Sequence, residues 1–163
     1  MMLLVGFGWA KPVPVDVRYF KKPKSGMAIT AIAGPLSNFV LAYVMMLLAY
    51  ACLGVFVVNG TPYSDVSQGV LDFCVMTASL SIGLGVFNLI PFPPLDGSKI
   101  LGVLLPDRLY YKILRYEFAG TIILMGLLWL GVLDGPLYAA RSFVSDGLMK
   151  LAQWPYDLIT TIF

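Results

Sequence analysis

Apolar residues run through this chain in long unbroken stretches. Between Lys24 and Asp65 no side chain is charged, so residues 26–58 form one continuous apolar segment. Residues 69–90 form a second, interrupted only by Asp72 near its start. Residues 118–133 form a third, shorter one, which residues 110–116 extend toward an interface. A bilayer core of about 30 Å needs about 20 apolar helical residues. The pattern therefore predicts transmembrane helices over 26–58, over 69–97 with a broken end, and over 110–133. Residues 1–9, "MMLLVGFGW", are apolar but cover only about 14 Å as a helix. They read as the last turns of a truncated span, a stub over residues 1–10. They have neither the basic start nor the small-residue cleavage site of a signal peptide. In residues 136–163, Arg141, Asp146, Lys150 and Asp157 are spaced among Leu, Phe, Trp and Tyr. That mixture predicts an amphipathic helix lying at the interface rather than a further span, because charge at membrane depth is costly. The fold class expected is an all-α polytopic membrane protein, one domain over residues 1–163. It has about three transmembrane helices, a truncated N-terminal span, a short extended Pro-rich segment and a C-terminal amphipathic helix.

Composition agrees. Hydrophobic residues make up 59% and charged residues 12%, where soluble domains carry about 25% charged residues. Mean hydropathy is +0.84. The net charge of +2 gives no footing for nucleic acid. Cys52 and Cys74 both fall in apolar runs and read as buried filler. Histidine is absent, which removes the commonest metal ligand and general base. The charges that do occur are asymmetric. Lys11, Arg18, Lys21, Lys22 and Lys24 precede the first span, and Lys99, Arg108, Lys112 and Arg115 follow the second. Residues 59–68 hold neither Lys nor Arg. The positive-inside rule then places residues 11–25 and 99–115 in the cytoplasm and 59–68 outside, in a plasma (inner) membrane.

Three local patterns could carry chemistry. "NLIPFPPLDG", residues 88–97, ends the second span. Its prolines stop a helix and free backbone carbonyls. At membrane depth such backbone is tolerated where it lines a cavity or is buried in protein. An acid there, Asp96, can bind a cation, take up a proton, or cap the helix that follows. Asn88 can hydrogen-bond a substrate carbonyl or satisfy carbonyls freed by Pro91 and Pro93. In "AGPLSN", residues 33–38, Gly34 and Asn38 share a helix face one turn apart. The small residues allow close helix packing, and Asn38 on that face can also point into a site. In "GWAKPVPV", residues 8–15, Pro12 and Pro14 alternate with valines. This suits an extended segment or edge strand, which a substrate strand can join, or a plain linker.

Taken together, these stretches resemble the site-2 protease family of intramembrane zinc metalloproteases. "NLIPFPPLDG" is similar to the family's N-x-x-P-x-P-x-L-D-G signature, "GPLSN" to its G-x-x-x-N motif, and "FGWAKPVPV" to the segment before it. They stand in the family's order across residues 7–97. The resemblance implies a zinc ion within the membrane, bound by two histidines of H-E-x-x-H and the aspartate of L-D-G, with the motif's glutamate as general base. Three protein ligands and an open position is the usual form of a catalytic zinc site. Carried over, Asp96 is the carboxylate ligand, and Asn88 and Asn38 position substrate. Gly97 gives a close turn behind the ligand, Gly34 a close helix approach, and Pro91 and Pro93 shape the backbone beside the site.

H-E-x-x-H itself does not occur. The resemblance implies hydrolysis of membrane-embedded protein substrates by zinc-activated water, with this chain, lacking both histidines and the glutamate, inactive alone. A non-catalytic membrane scaffold that binds transmembrane segments, a pseudoprotease, is the alternative. A small transporter using Asp96 as a proton or cation site is a more distant one. The implied partners are a membrane-embedded substrate and the bilayer, and the oligomeric state stays open.

Overall fold

The computed structural model describes residues 19–59, 65–106, 108–110 and 116–162. The stub over 1–10 and the Pro-rich segment expected to be extended lie outside these residues. What is described is helical. Helix α1, Pro23–Asn59, is 37 residues long, and α2, Asp65–Asn88, is 24. Both are long and apolar enough to cross a membrane. They pack on each other through small side chains: Ala42 and Ala78 are 0% and 1% exposed, and form a core with Ile82 and Val86. Small residues let backbones approach closely where no hydrophobic effect draws helices together. A Cβ on Gly85 would lie 2.6 Å from Cε1 of Phe39, so the glycine makes room for that ring. Elsewhere both helices expose large apolar residues such as Ile29, Phe73, Met76 and Leu80. That is the surface of a protein solvated by lipid, and the chain is an integral membrane protein.

Pro35 stands inside α1 and is fully buried. It removes one helical N–H donor, and the Ser37 hydroxyl donates to the Gly34 carbonyl beside it at 2.7 Å.

After α2 come α3 (Asp96–Leu104), α4 (Glu117–Trp129), α5 (Asp134–Ala152) and α6 (Trp154–Ile162). Within the apolar run at 110–133, the described residues include one helix of 13 residues, α4, about 20 Å long. Together with residues 134–162 it is long and apolar enough to cross a membrane, but a bend of 86° separates the two parts. The bend has a local cause. Gly131 has φ +68°, the left-handed region that glycine adopts freely. Around it Val132 N–H donates to the Leu127 carbonyl and Gly131 N–H to that of Leu128, at 3.2 and 3.1 Å. This is a Schellman stop.

The tail, expected to lie along the interface as one helix, is two helices packed against α1 and α2. Helix α5 starts beside the end of α2, where Leu133, Pro136 and Leu137 share a cavity of about 400 Å³ with Val86, Leu89 and Ile90. It then runs antiparallel to α2. Arg141 donates to the Ser79 hydroxyl at 3.0 Å. Farther along, Ser145 and Asp146 line a groove of about 720 Å³ together with Gln68 and Asp72. Helix α6 returns over α1, where a Cβ on Gly54 would lie 3.2 Å from Cβ of Ile159.

Candidate functional site at the broken end of α2

Residues 89–95 join α2 to α3 and contain Pro91, Pro93 and Pro94, with the Pro93–Pro94 bond cis. Their backbone is fully accounted for on the donor side. Leu89 N–H donates to the carbonyls of Gly85 and Val86, Ile90 to Phe87, Phe92 to Ile90 and Leu95 to Phe92, at 2.8 to 3.2 Å. The other three positions are prolines, which have no N–H. The segment therefore breaks the helix without leaving an unpaired donor, the condition that irregular backbone must meet in an apolar setting.

Gly97 locks this loop. It is buried, and a Cβ there would collide with the carbonyls of Leu89 and Ile90. Ser98, 6% exposed, donates its hydroxyl to the Leu95 carbonyl at 2.7 Å. On the other side a Cβ on Gly120 would lie 2.7 Å from the Pro93 carbonyl oxygen, so α4 begins against the loop.

Asp96 is the first residue of α3. The N-cap position belongs to Leu95, and no side chain caps the helix. Capping, one of the readings open from the sequence, is therefore not what Asp96 does, although a carboxylate in the first turn is favoured by the helix dipole. Its Oδ1 accepts a hydrogen bond from Lys99 Nζ at 2.8 Å, with both side chains 34% exposed. Its Oδ2 lies 3.6 Å from where a Cβ on Gly34 would stand. The two glycine-containing motifs thus meet at this carboxylate, with Gly34 and Asp96 62 residues apart in the chain, because Gly34 leaves room for it. Asn38, one turn farther along α1, and Asn88, the last residue of α2, are half-buried. The hydrogen-bond partner of Asp96 is Lys99 rather than either amide. Lys99 was not singled out from the sequence. The signal was there: an acid and a base three residues apart at a helix start face each other.

A zinc ion bound in a catalytic site takes three protein ligands. Among the described residues no three His, Cys, Asp or Glu side chains come together, and Cys52 and Cys74 are free. One carboxylate paired with a lysine does not fit a zinc ion by itself. The site as it stands offers a single carboxylate at the start of α3.

A family model described as "Peptidase family M50" matches residues 52–133, from the end of α1 to the Schellman turn. The Bacillus subtilis protein named "Putative zinc metalloprotease YwhC" is 33% identical over 153 residues, which cover 93% of this chain and 68% of that protein. "Zinc metalloprotease MJ0392" of Methanocaldococcus jannaschii is 30% identical over 91 residues, 56% of this chain and 23% of that one. "Zinc metalloprotease RasP" of Oceanobacillus iheyensis is 50% identical over 38 residues, 23% of this chain and 9% of that one. No solved structure matches.

Proposed function

Because this chain belongs to peptidase family M50, we propose that it forms part of a site-2-protease-like intramembrane zinc endopeptidase, with membrane-embedded proteins as its substrates. The observation that carries this reading is Asp96. It is held at a broken helix end by Gly97 and faces Gly34 of α1, so a carboxylate is presented beside the helix that bears the second motif. In this reading Asp96 is the carboxylate ligand of the metal, and the remaining ligands come from a segment that carries H-E-x-x-H. Asn38 and Asn88 position the substrate. Residues 11–25 and the Asp96 end face the cytoplasm, in the plasma membrane. Labelling from outside should then mark Ser64→Cys and not Ser25→Cys, and the reverse pattern would overturn that orientation.

The rival reading, a non-catalytic scaffold for transmembrane segments, is favoured by one observation: the sequence holds no histidine. Zinc content measured beside cleavage of a model transmembrane substrate separates the two. The 163-residue chain should hold no stoichiometric zinc. A version joined to an upstream H-E-x-x-H segment should bind zinc and cleave. Asp96→Ala should abolish cleavage there while leaving membrane insertion intact, and Asp96→Asn should cripple it, a neutral amide being the poorer ligand for a divalent cation. An extended protein that binds a transmembrane segment without cutting it would establish the scaffold. Full activity of the extended Asp96→Ala variant would remove Asp96 from the site.

A further inference from the structure

Lys24 stands in the first turn of α1, where a cation opposes the dipole of its own helix. What it meets is the opposite end of a different helix. Its Nζ donates to the carbonyl of Leu105, the C-cap of α3, at 2.7 Å. Helix α3 has no basic residue in its own last turn, so Lys24 supplies the cation that a helix C-terminus favours. The same ammonium lies 5.6 Å from the centre of the Tyr110 ring. Tyr110 is 3% exposed. Its ring fills the space that a Cβ on Gly102 of α3 would need, and its hydroxyl donates to Met27 Sδ at 3.8 Å. Lys24, Met27, Gly102, Leu105 and Tyr110 thus form one fastening between the start of α1 and the end of α3.

Helix α3 is short, nine residues, or about 13 Å. A rigid rod of that length is oriented by its two ends. One end is fixed by Gly97 and Ser98 against the proline loop. The other is fixed by Lys24. We propose that Lys24 is a positioning residue that sets the rotation and depth of α3, and so turns the Asp96 carboxylate toward Gly34. This rests on the reading of Asp96 as a site residue only for its functional meaning; the geometric claim stands apart from it. The rod explains the distance covered: a contact to residue 105 governs a carboxylate at residue 96.

The test uses paired cysteines in a background carrying Cys52→Ala and Cys74→Ala, in membranes, with a short thiol-bridging reagent at limiting concentration. Gly34→Cys with Asp96→Cys reports the position of α3 against α1. Gly54→Cys with Ile159→Cys reports α6 against α1, remote from Lys24 in the chain. Lys24→Met should slow bridging of the 34–96 pair about tenfold, the effect of losing one charge-assisted hydrogen bond. The 54–159 pair should be unchanged. Lys24→Arg, which keeps a cation able to meet both a carbonyl and a ring, should restore most of the 34–96 rate. An unchanged 34–96 rate in Lys24→Met overturns the proposal. So does equal slowing of both pairs, since that reports a loosened bundle, and so does failure of Lys24→Arg to rescue. If Asp96→Ala leaves cleavage intact in the extended protein while the bridging results hold, the functional reading fails and the fastening remains.

Discussion

The glycines of α3 and the start of α4, packed around the Asp96 loop, and those farther along the α4–α5 arm differ in what surrounds them. At Gly97, Gly102 and Gly120 an added Cβ would run into backbone carbonyls or an aromatic ring. At Gly126, Gly135 and Gly147 it would meet nothing within 4 Å. The first set is glycine because the neighbouring backbone occupies the space of a side chain. The second set has no neighbour among the described residues that requires glycine. The contrast extends to larger residues: Phe118 and Trp129 of α4 are 80% and 88% exposed, while the loop that α4 packs against has every available N–H paired. At Gly97 and Gly120 the obstacle is the backbone of the loop beside Asp96 itself. A few residues away, the arm presents a bare apolar surface.

The largest effect that would sharpen this contrast is expected at Gly97. Gly97→Ala must displace the carbonyls of Leu89 and Ile90, which belong to backbone and cannot rotate away. The cost should sit at the upper end of overpacking penalties, about 3 kcal/mol, seen as a lowered thermal midpoint in detergent. A midpoint equal to that of the parent would break the comparison outright. Gly120→Ala should come next, at about 2 kcal/mol, because it presses on a single carbonyl and the whole of α4 can shift in response. Arg141→Leu should cost about 1 kcal/mol, the scale of interhelical polar contacts in membrane proteins. It should read out as faster proteolysis or hydrogen exchange along α5, with the Asp96 loop unaffected. The smallest effect, and of opposite sign, belongs to Gly126→Ala. With no neighbour to strike and a better helix former in place, α4 should gain about 0.5–1 kcal/mol. A clear loss of stability there would mean that the arm packs as tightly as the loop.

What was legible in the sequence follows the range of the forces involved. The two long spans are visible because hydropathy over twenty residues needs no partner. The break after Asn88 is visible because proline acts on its own backbone. The course of the third apolar run was not legible, for a matching reason. Hydropathy reports that residues 118–133 avoid water, and says nothing of direction. Direction was set by one residue, Gly131, at the C′ position of a helix, in a stretch, "GVLDGP", whose glycines and proline are themselves turn signals. The tail divides into two helices packed against α1 and α2, and the contact of Arg141 was not legible because its partner hydroxyl on α2 is 62 residues away. Lys24 could not be read at all. It looks like one more charge in a basic stretch, and its partner carbonyl is 81 residues away.

The length of α1 carries a consequence for where this protein works well. At 37 residues the helix measures about 55 Å, against a hydrocarbon layer of about 30 Å. Tilting by 40°, near the limit seen for membrane helices, still leaves a projection of about 42 Å. The mismatch must therefore be taken up by overhang, by tilt, or by local swelling of the bilayer. Gly34 lies on the N-terminal part of this rod and the Asp96 carboxylate faces it, so in the proposed reading of Asp96 as a site within the membrane, bilayer thickness would set how far the carboxylate sits below the lipid headgroups. A thicker bilayer draws it down and a thinner one brings it up toward water. The same chain moved between membranes of different thickness would meet a different local dielectric at Asp96 without any change in its own contacts.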